Sequence, residues 1–304
     1  MEKFVILFIL SLATAACTPT TIETMPASLG MPATMSDLLD SLEKPGVIEF
    51  NKHVAGDWAI ELSGLLNLEH PKAIAAGLSD RVEPIQLFTY SLKHPTKGTY
   101  LVDSGLSEEF RDIPNNQQLS FIIKKAMNID LMKVHLTTAE LFNQLGGIDG
   151  VFLTHIHMDH IMGLTDLGSE VDVYIGPGDT TVSNISNAAT QGTTDRLLAH
   201  VTVLQEWQFE EDGIVDIFGD GSVWAIHSPG HTPGATAYLA NTLTGPQLML
   251  GDATHTAWGW QHGVEAGTFS EDIPQSAMSL ARLKKLAEDS QRITAHPGHQ
   301  SLTE

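Results

Sequence analysis

From about Asp37 onward, short apolar runs alternate with Gly, Pro, Asn and Asp, and this alternation carries most of what the chain says about its fold. Residues 98–103 read as a buried strand that stops at the turn Ser104-Gly105. Residues 150–154 form a second apolar run, preceded by a segment of helical spacing over 136–145 with Thr137 or Thr138 in place to cap it. Further strand-sized runs lie at 171–175, 201–204, 222–227, 235–240 and 247–251. Over 275–288, Met278, Leu280, Leu283 and Leu286 recur on one face with Lys284 and Lys285 outside it, which predicts an amphipathic helix. Strands interleaved with helices, without a short repeat, predict an α/β domain of two sheets, or of one large sheet, covered by helices.

The first residues follow another rule. Lys3, an apolar run over 4–12 and the small residues Ala13-Thr14-Ala15-Ala16 have the order of an export signal, which assigns 1–16 to a signal peptide. Cys17 stands where a lipoprotein signal is cut and acylated, the alternative being ordinary cleavage near Ala15 or Ala16. The expected location is therefore periplasmic or membrane-anchored, with secretion as a variant. Residues 17–36, rich in Thr, Pro, Ser and Met without periodicity, are expected to be a tether, and 37–304 one domain. Since Cys17 is the only cysteine, neither an internal disulfide nor a thiolate metal ligand is available to that domain.

Charge narrows the choice of partner. Sixteen Lys and Arg against 37 Asp and Glu give a formal charge of −21, which repels nucleic-acid backbones and anionic lipid, and leaves a small molecule as the expected partner. The only membrane contact expected is through an N-terminal lipid. The acid-rich stretch 206–220, which has no base, reads as a solvated hairpin rather than a cation site.

Directly after the 150–154 run comes His155-Ile156-His157-Met158-Asp159-His160. Four imidazole or carboxylate side chains within six residues can converge on a cation, and their position at a strand end is where α/β folds bind ligands. Such donors suit zinc, with iron, manganese or cobalt as alternatives. Later apolar runs deliver His231, Asp252 and His296 to Gly-rich turns. His299 competes with His296, and His227 is a lesser rival to His231.

In these residues the chain resembles the metallo-β-lactamase superfamily over roughly residues 85–300, and its spacings are similar to those of that superfamily's acyl-homoserine lactone lactonases. The resemblance implies an αββα sandwich of two mixed β-sheets flanked by helices. It implies one metal on His155, His157 and His231, a second on Asp159, His160 and His296, and Asp252 bridging both. It also implies that Asp103, in Asp103-Ser104-Gly105, orients ligand histidines from behind. The activity implied is hydrolysis by a hydroxide shared between two cations, with Asp159 handling the proton. His255 stands where the lactonases carry a tyrosine that touches the substrate, and is expected to donate the same hydrogen bond. Trp258, Trp260, Phe269 and Met162 are candidates for an acyl pocket. Other carboxylester or phosphoester hydrolysis, β-lactam hydrolysis, a mononuclear iron dioxygenase and a metal-binding lipoprotein without turnover stay open as alternatives.

Overall fold

A computed structural model describes residues 18–112, 116, 118–182 and 185–300; the signal segment and Cys17 lie outside them. Fourteen strands among these residues form two sheets. The first holds β1 (Thr24–Pro26), β3 (Glu49–Glu61), β4 (Val82–His94), β5 (Gly98–Val102), β6 (Lys133–Val134), β7 (Gly150–Phe152), β8 (Asp172–Ile175) and β9 (Leu204–Glu206). The second holds β2 (Met31–Ala33), β10 (Ile214–Asp216), β11 (Val223–His227), β12 (Thr236–Thr242), β13 (Gly245–Met249) and β14 (Thr294–His296). Their orders are β1-β9-β8-β7-β5-β4-β3-β6 and β14-β13-β12-β11-β10-β2. Both sheets mix parallel and antiparallel neighbours, as the sandwich expectation requires.

The period-2 alternation of strand side chains divides the apolar residues among three layers. Tyr100 and Val102 of β5, Phe152 of β7, Tyr174 of β8 and Tyr238 of β12 meet between the sheets. The alternate residues Leu101, Val151 and Val173 face outward and are covered by Leu141 and Leu197 of the helices Thr138–Leu145 and Ile185–Leu197. On the far side of the second sheet, Ala237 and Leu239 pack on Leu283 and Leu286 of the helix Ile273–Asp289, the amphipathic helix legible in the sequence. Thr137 caps the helix Thr138–Leu145 in a reciprocal capping box with Glu140, and Gly146 ends it with positive φ.

One inter-sheet link bears on the site. Trp207 Nε1 donates to Tyr238 Oη at 2.9 Å, and that hydroxyl donates to the Leu153 carbonyl at 2.8 Å, pinning the end of β7 to the second sheet.

The tether expectation for 17–36 is corrected within its described part. Residues 24–26 pair with β9 and residues 31–33 with β10, and Thr34 caps the helix Met35–Leu42. These edge strands are largely exposed and join through backbone hydrogen bonds, so no hydrophobic pattern announced them.

Candidate metal centre and its pocket

The chain leaves β7 at Phe152 and reaches the histidine run three residues later. Here Asp103 does the holding. It has φ +56°, a left-handed conformation that Asp tolerates better than most residues, and its carboxylate turns beneath the loop. Oδ1 accepts the Thr154 N–H at 2.8 Å and Oδ2 accepts His160 Nδ1–H at 2.8 Å. The next residue completes the clasp: Ser104 N–H and Oγ both donate to the His160 carbonyl, at 2.9 and 2.8 Å. With Nδ1 committed to Asp103, His160 turns Nε2 to the interior.

The same arrangement recurs around the cluster. Nδ1 of His299 faces the Gln86 carbonyl at 3.2 Å, Nδ1 of His255 the Leu65 carbonyl at 2.9 Å, and Nδ1 of His231 the Ser270 hydroxyl at 3.3 Å. In each ring the other nitrogen points inward. An imidazole anchored at one nitrogen has a fixed orientation and a fixed tautomer, which is how proteins aim histidine ligands.

Two donor sets result, with His231, Asp252 and His255 forming a third, overlapping group that takes one member from each. Nitrogens of His155, His157 and His231 lie within 4.8 Å of one another, and so do donor atoms of Asp159, His160, Asp252 and His299. Asp252 sits between them. Its Oδ2 is 3.4 Å from His231 Nε2 and 3.6 Å from His155 Nε2 on one side, and 3.4 Å from His160 Nε2 on the other; His255 Nε2 is at 3.0 Å.

These donor sets fit cations. His231 Nε2 lies 3.2 Å from His155 Nε2 and 2.9 Å from His157 Nδ1, three imidazole nitrogens converging where at most a few protons can be shared. His160 Nε2 and Asp252 Oδ1 are buried with no hydrogen-bond partner, a state that costs free energy unless another group supplies the contact. Burial lowers the proton affinity of His155 and His231 well below that of free histidine, so both rings offer lone pairs at neutral pH. Burial opposes ionisation of Asp252, but the neighbouring His255, His299 and His160 outweigh it and keep the carboxylate charged. His155, His157 and His231 therefore provide neutral imidazoles. Against burial, the carboxylates of Asp103, Asp252 and Asp159 raise the proton affinity of His160, and those of Asp252 and Asp159 raise that of His299; a divalent ion would displace these protons from the same donors.

The structure brings together His155, His157, Asp159, His160, His231, Asp252 and His255, and corrects the expectation for His296. Strand alternation turns the His296 ring into the sandwich, 5.4 Å from Phe50 and 5.7 Å from Tyr90, with Nε2 2.8 Å from Gln247 Oε1. Pro297-Gly298 then carries the chain across the sheet end, and His299 arrives with Nε2 3.2 Å from Asp159 Oδ2 and 3.3 Å from Asp252 Oδ1. Gly298 makes the approach possible, because a Cβ there would fall 2.2 Å from Asp252 Oδ1. His227 stays outside, bonded to the Pro233 carbonyl at 2.9 Å and stacked on Phe209.

A cavity of about 450 Å³ opens over the cluster. Trp58, Ile60, Leu65, Ile85, Met127 and Phe269 give it an apolar wall. Of the four residues expected to form an acyl pocket, only Phe269 lines it. Met162 is fully buried in the outer core, Trp258 stacks on His262, and Trp260 packs against the second-sheet core. Trp58 and Ile60 lie on β3, whose side chains follow no single period along its length, so no hydrophobic pattern marks them as cavity residues.

Residues 86–299 match the family model of the metallo-beta-lactamase superfamily. An N-acyl homoserine lactonase, AttM, of Azorhizobium caulinodans is 33% identical over 96 residues, which cover 30% of this chain and 36% of that protein. A gamma-lactamase, FDB1, of Fusarium pseudograminearum is 22% identical over 243 residues, covering 70% of this chain and 56% of its own length. The chain thus spans only about a third to a half of these relatives. Among solved structures, a quorum-quenching N-acyl homoserine lactone lactonase superposes with a TM-score of 0.59 over 84% of this chain and 92% of its own, at 18% identity. At that identity the likeness is one of fold.

Proposed function

This chain belongs to the metallo-beta-lactamase superfamily, and on that premise we propose that it is a hydrolase of lactones, acyl-homoserine lactones foremost, working with two divalent ions held by the buried histidine–aspartate cluster. The observation that carries this reading is the convergence of two donor sets on the shared carboxylate of Asp252, at the base of a largely apolar cavity. His155, His157 and His231 would hold one ion and Asp159, His160 and His299 the other. We take zinc as the resident ion, iron, manganese and cobalt being accepted by the same donors. A pair of divalent ions there supplies a water that ionises near neutral pH and polarises an acyl oxygen.

The residues supply the rest. Asp159 lines the cavity, and although burial opposes its ionisation, His160 and His299 hold its carboxyl below the usual carboxylate range. It is thus an ionised acceptor for the proton that water gives up on attack. His255 lines the same space, its ring oriented by Nδ1 at 2.9 Å from the Leu65 carbonyl and its Nε2 turned inward, where it would contact the substrate. The Trp58–Ile60–Ile85–Phe269 wall excludes water and matches an acyl chain.

The charge of the cavity favours a lactone over a β-lactam. Glu61, Asp179 and Glu271 line it, and no Lys or Arg does among the described residues. The carboxylate of a penicillin or cephalosporin would meet acids where it needs a cation, whereas an acyl-homoserine lactone is uncharged. The lactonase relatives support the same choice. We further propose that residues 1–16 direct export and that Cys17 carries a lipid anchor; the mass of the mature N-terminus checks both.

The test is ring opening by the metal-loaded protein, followed by proton release, with hexanoyl- and decanoyl-homoserine lactone beside a cephalosporin, an aryl ester and a phosphotriester. Lactone kcat/KM on the order of 10⁴ M⁻¹s⁻¹ or more is expected, lost in Asp159→Ala. Faster turnover of the cephalosporin, or normal turnover by Asp159→Ala, would overturn the reading.

A further inference from the structure

The two chain segments that carry the tri-histidine set are far apart in sequence, and a third segment binds them together. Residues 176–179 follow β8 and pack backbone against backbone on the turn 232–234. A Cβ on Gly234 would lie 2.5 Å from the Gly176 carbonyl oxygen, and one on Gly176 would overlap the Gly234 carbonyl oxygen. Only glycine at both positions permits so close a contact.

Asp179 is placed in that contact and is 2% exposed. Its Oδ1 accepts the Gly234 N–H at 2.6 Å and its Oδ2 accepts the Ile156 N–H at 3.1 Å. Ile156 is the residue between His155 and His157, and Gly234 closes the turn that begins at His231. One carboxylate therefore spans both segments on the cavity side, while on the strand side the Thr236 N–H reaches the Thr154 carbonyl at 2.8 Å. The other half is held by other groups: Asp103 fixes the His160 ring, Ser104 the His160 carbonyl, and the Gln86 carbonyl the His299 ring.

We propose that Asp179 is a positioning residue for one half of the centre, setting the spacing of His155 and His157 against His231 so that these three rings bind their divalent ion, and leaving the Asp159–His160–His299 half unaffected. The chemistry of the position explains why it is a carboxylate. Two backbone N–H groups face its two oxygens, and a buried carboxylate is tolerated when both are satisfied. An asparagine offers one acceptor and turns an NH₂ toward the other N–H. The inference rests on the reading of the cluster as two cation sites and not on the identity of the substrate.

Cobalt(II) titration of Asp179→Asn tests it, read by visible absorption and by equilibrium dialysis. One of the two sites is expected to weaken about 10- to 100-fold, with an altered ligand-field spectrum, while the other keeps its affinity. In a His231→Ala background, where the tri-histidine site is already lost, Asp179→Asn is expected to change the remaining site by less than about twofold. Wild-type affinity and spectrum at both sites in Asp179→Asn would overturn the proposal, as would a further tenfold loss in the His231→Ala background. If Asp179→Asn does not fold, Asp179→Glu, which keeps two acceptors on a longer stem, is read by the same criteria. Failure of the wild-type protein to bind cobalt at all would instead remove the two-cation reading.

Discussion

His160 donates through Nδ1 to Asp103 at 2.8 Å, and its opposite nitrogen, Nε2, is buried in the cluster with no hydrogen-bond partner of its own. A carboxylate on one side of the ring thus decides what the other side can do. Asp103→Ala is expected to lower divalent-ion affinity about 10- to 100-fold, and Asp103→Asn by less, since its amide oxygen can still accept from Nδ1. Calorimetric titration of the metal-free protein with zinc checks this, and equal affinity in all three proteins would show that the ring needs no such support.

His299 and His296 separate cleanly by substitution. His299→Ala removes a donor from the Asp159–His160–Asp252 set and is expected to cut lactone turnover more than about 100-fold, with loss of about one bound ion. His296→Ala removes contacts with Phe50, Tyr90 and Gln247 and is expected to keep both ions, at a stability cost of roughly 1–3 kcal/mol for a partly buried ring. Metal content and thermal melts of the two variants decide between these assignments, and the reverse pattern would restore His296.

Replacing His255 probes its part in the reaction. His255→Ala leaves the His155–His157–His231 and Asp159–His160–Asp252–His299 sets intact and breaks the overlapping His231–Asp252–His255 group; a fall in kcat of about 10- to 100-fold is expected. His255→Tyr, which returns a donor to the cavity, is expected to recover most of it. Unchanged turnover in both variants would remove His255 from the mechanism.

Removal of metal should be visible in stability. Saturating zinc at about a thousand times its dissociation constant contributes roughly 4 kcal/mol to the folded state, equivalent to about 8–16 °C in Tm for a chain of this size. Scanning calorimetry with and without chelator measures it, and identical transitions would mean that the cluster holds no ion.

Much of this site was legible because its ligands are local. Six consecutive residues, 155–160, deliver four donors, and His231 and Asp252 follow apolar runs that end at glycine turns. His299 was harder to place. His296 ends the strand, but alternation along β14 turns it inward, and only the excursion through Pro297-Gly298 settles which histidine reaches Asp252.

The N-terminal third of the fold was largely unread for a related reason. Before the bulge between Val54 and Gly56, Phe50 and Val54 face the space between the sheets; after it, Trp58 and Ile60, at positions of the same parity, face the outer core. A strand that changes face midway shows no single period along its length.

Stepwise addition of zinc to the metal-free protein, with ring opening of an acyl-homoserine lactone recorded at each step, tests the shared-aspartate centre most directly. Turnover is expected to rise until two equivalents per chain are bound and then to stay level, and Asp252→Ala to remain inactive throughout. A plateau at one equivalent, or full turnover without any metal, would contradict it.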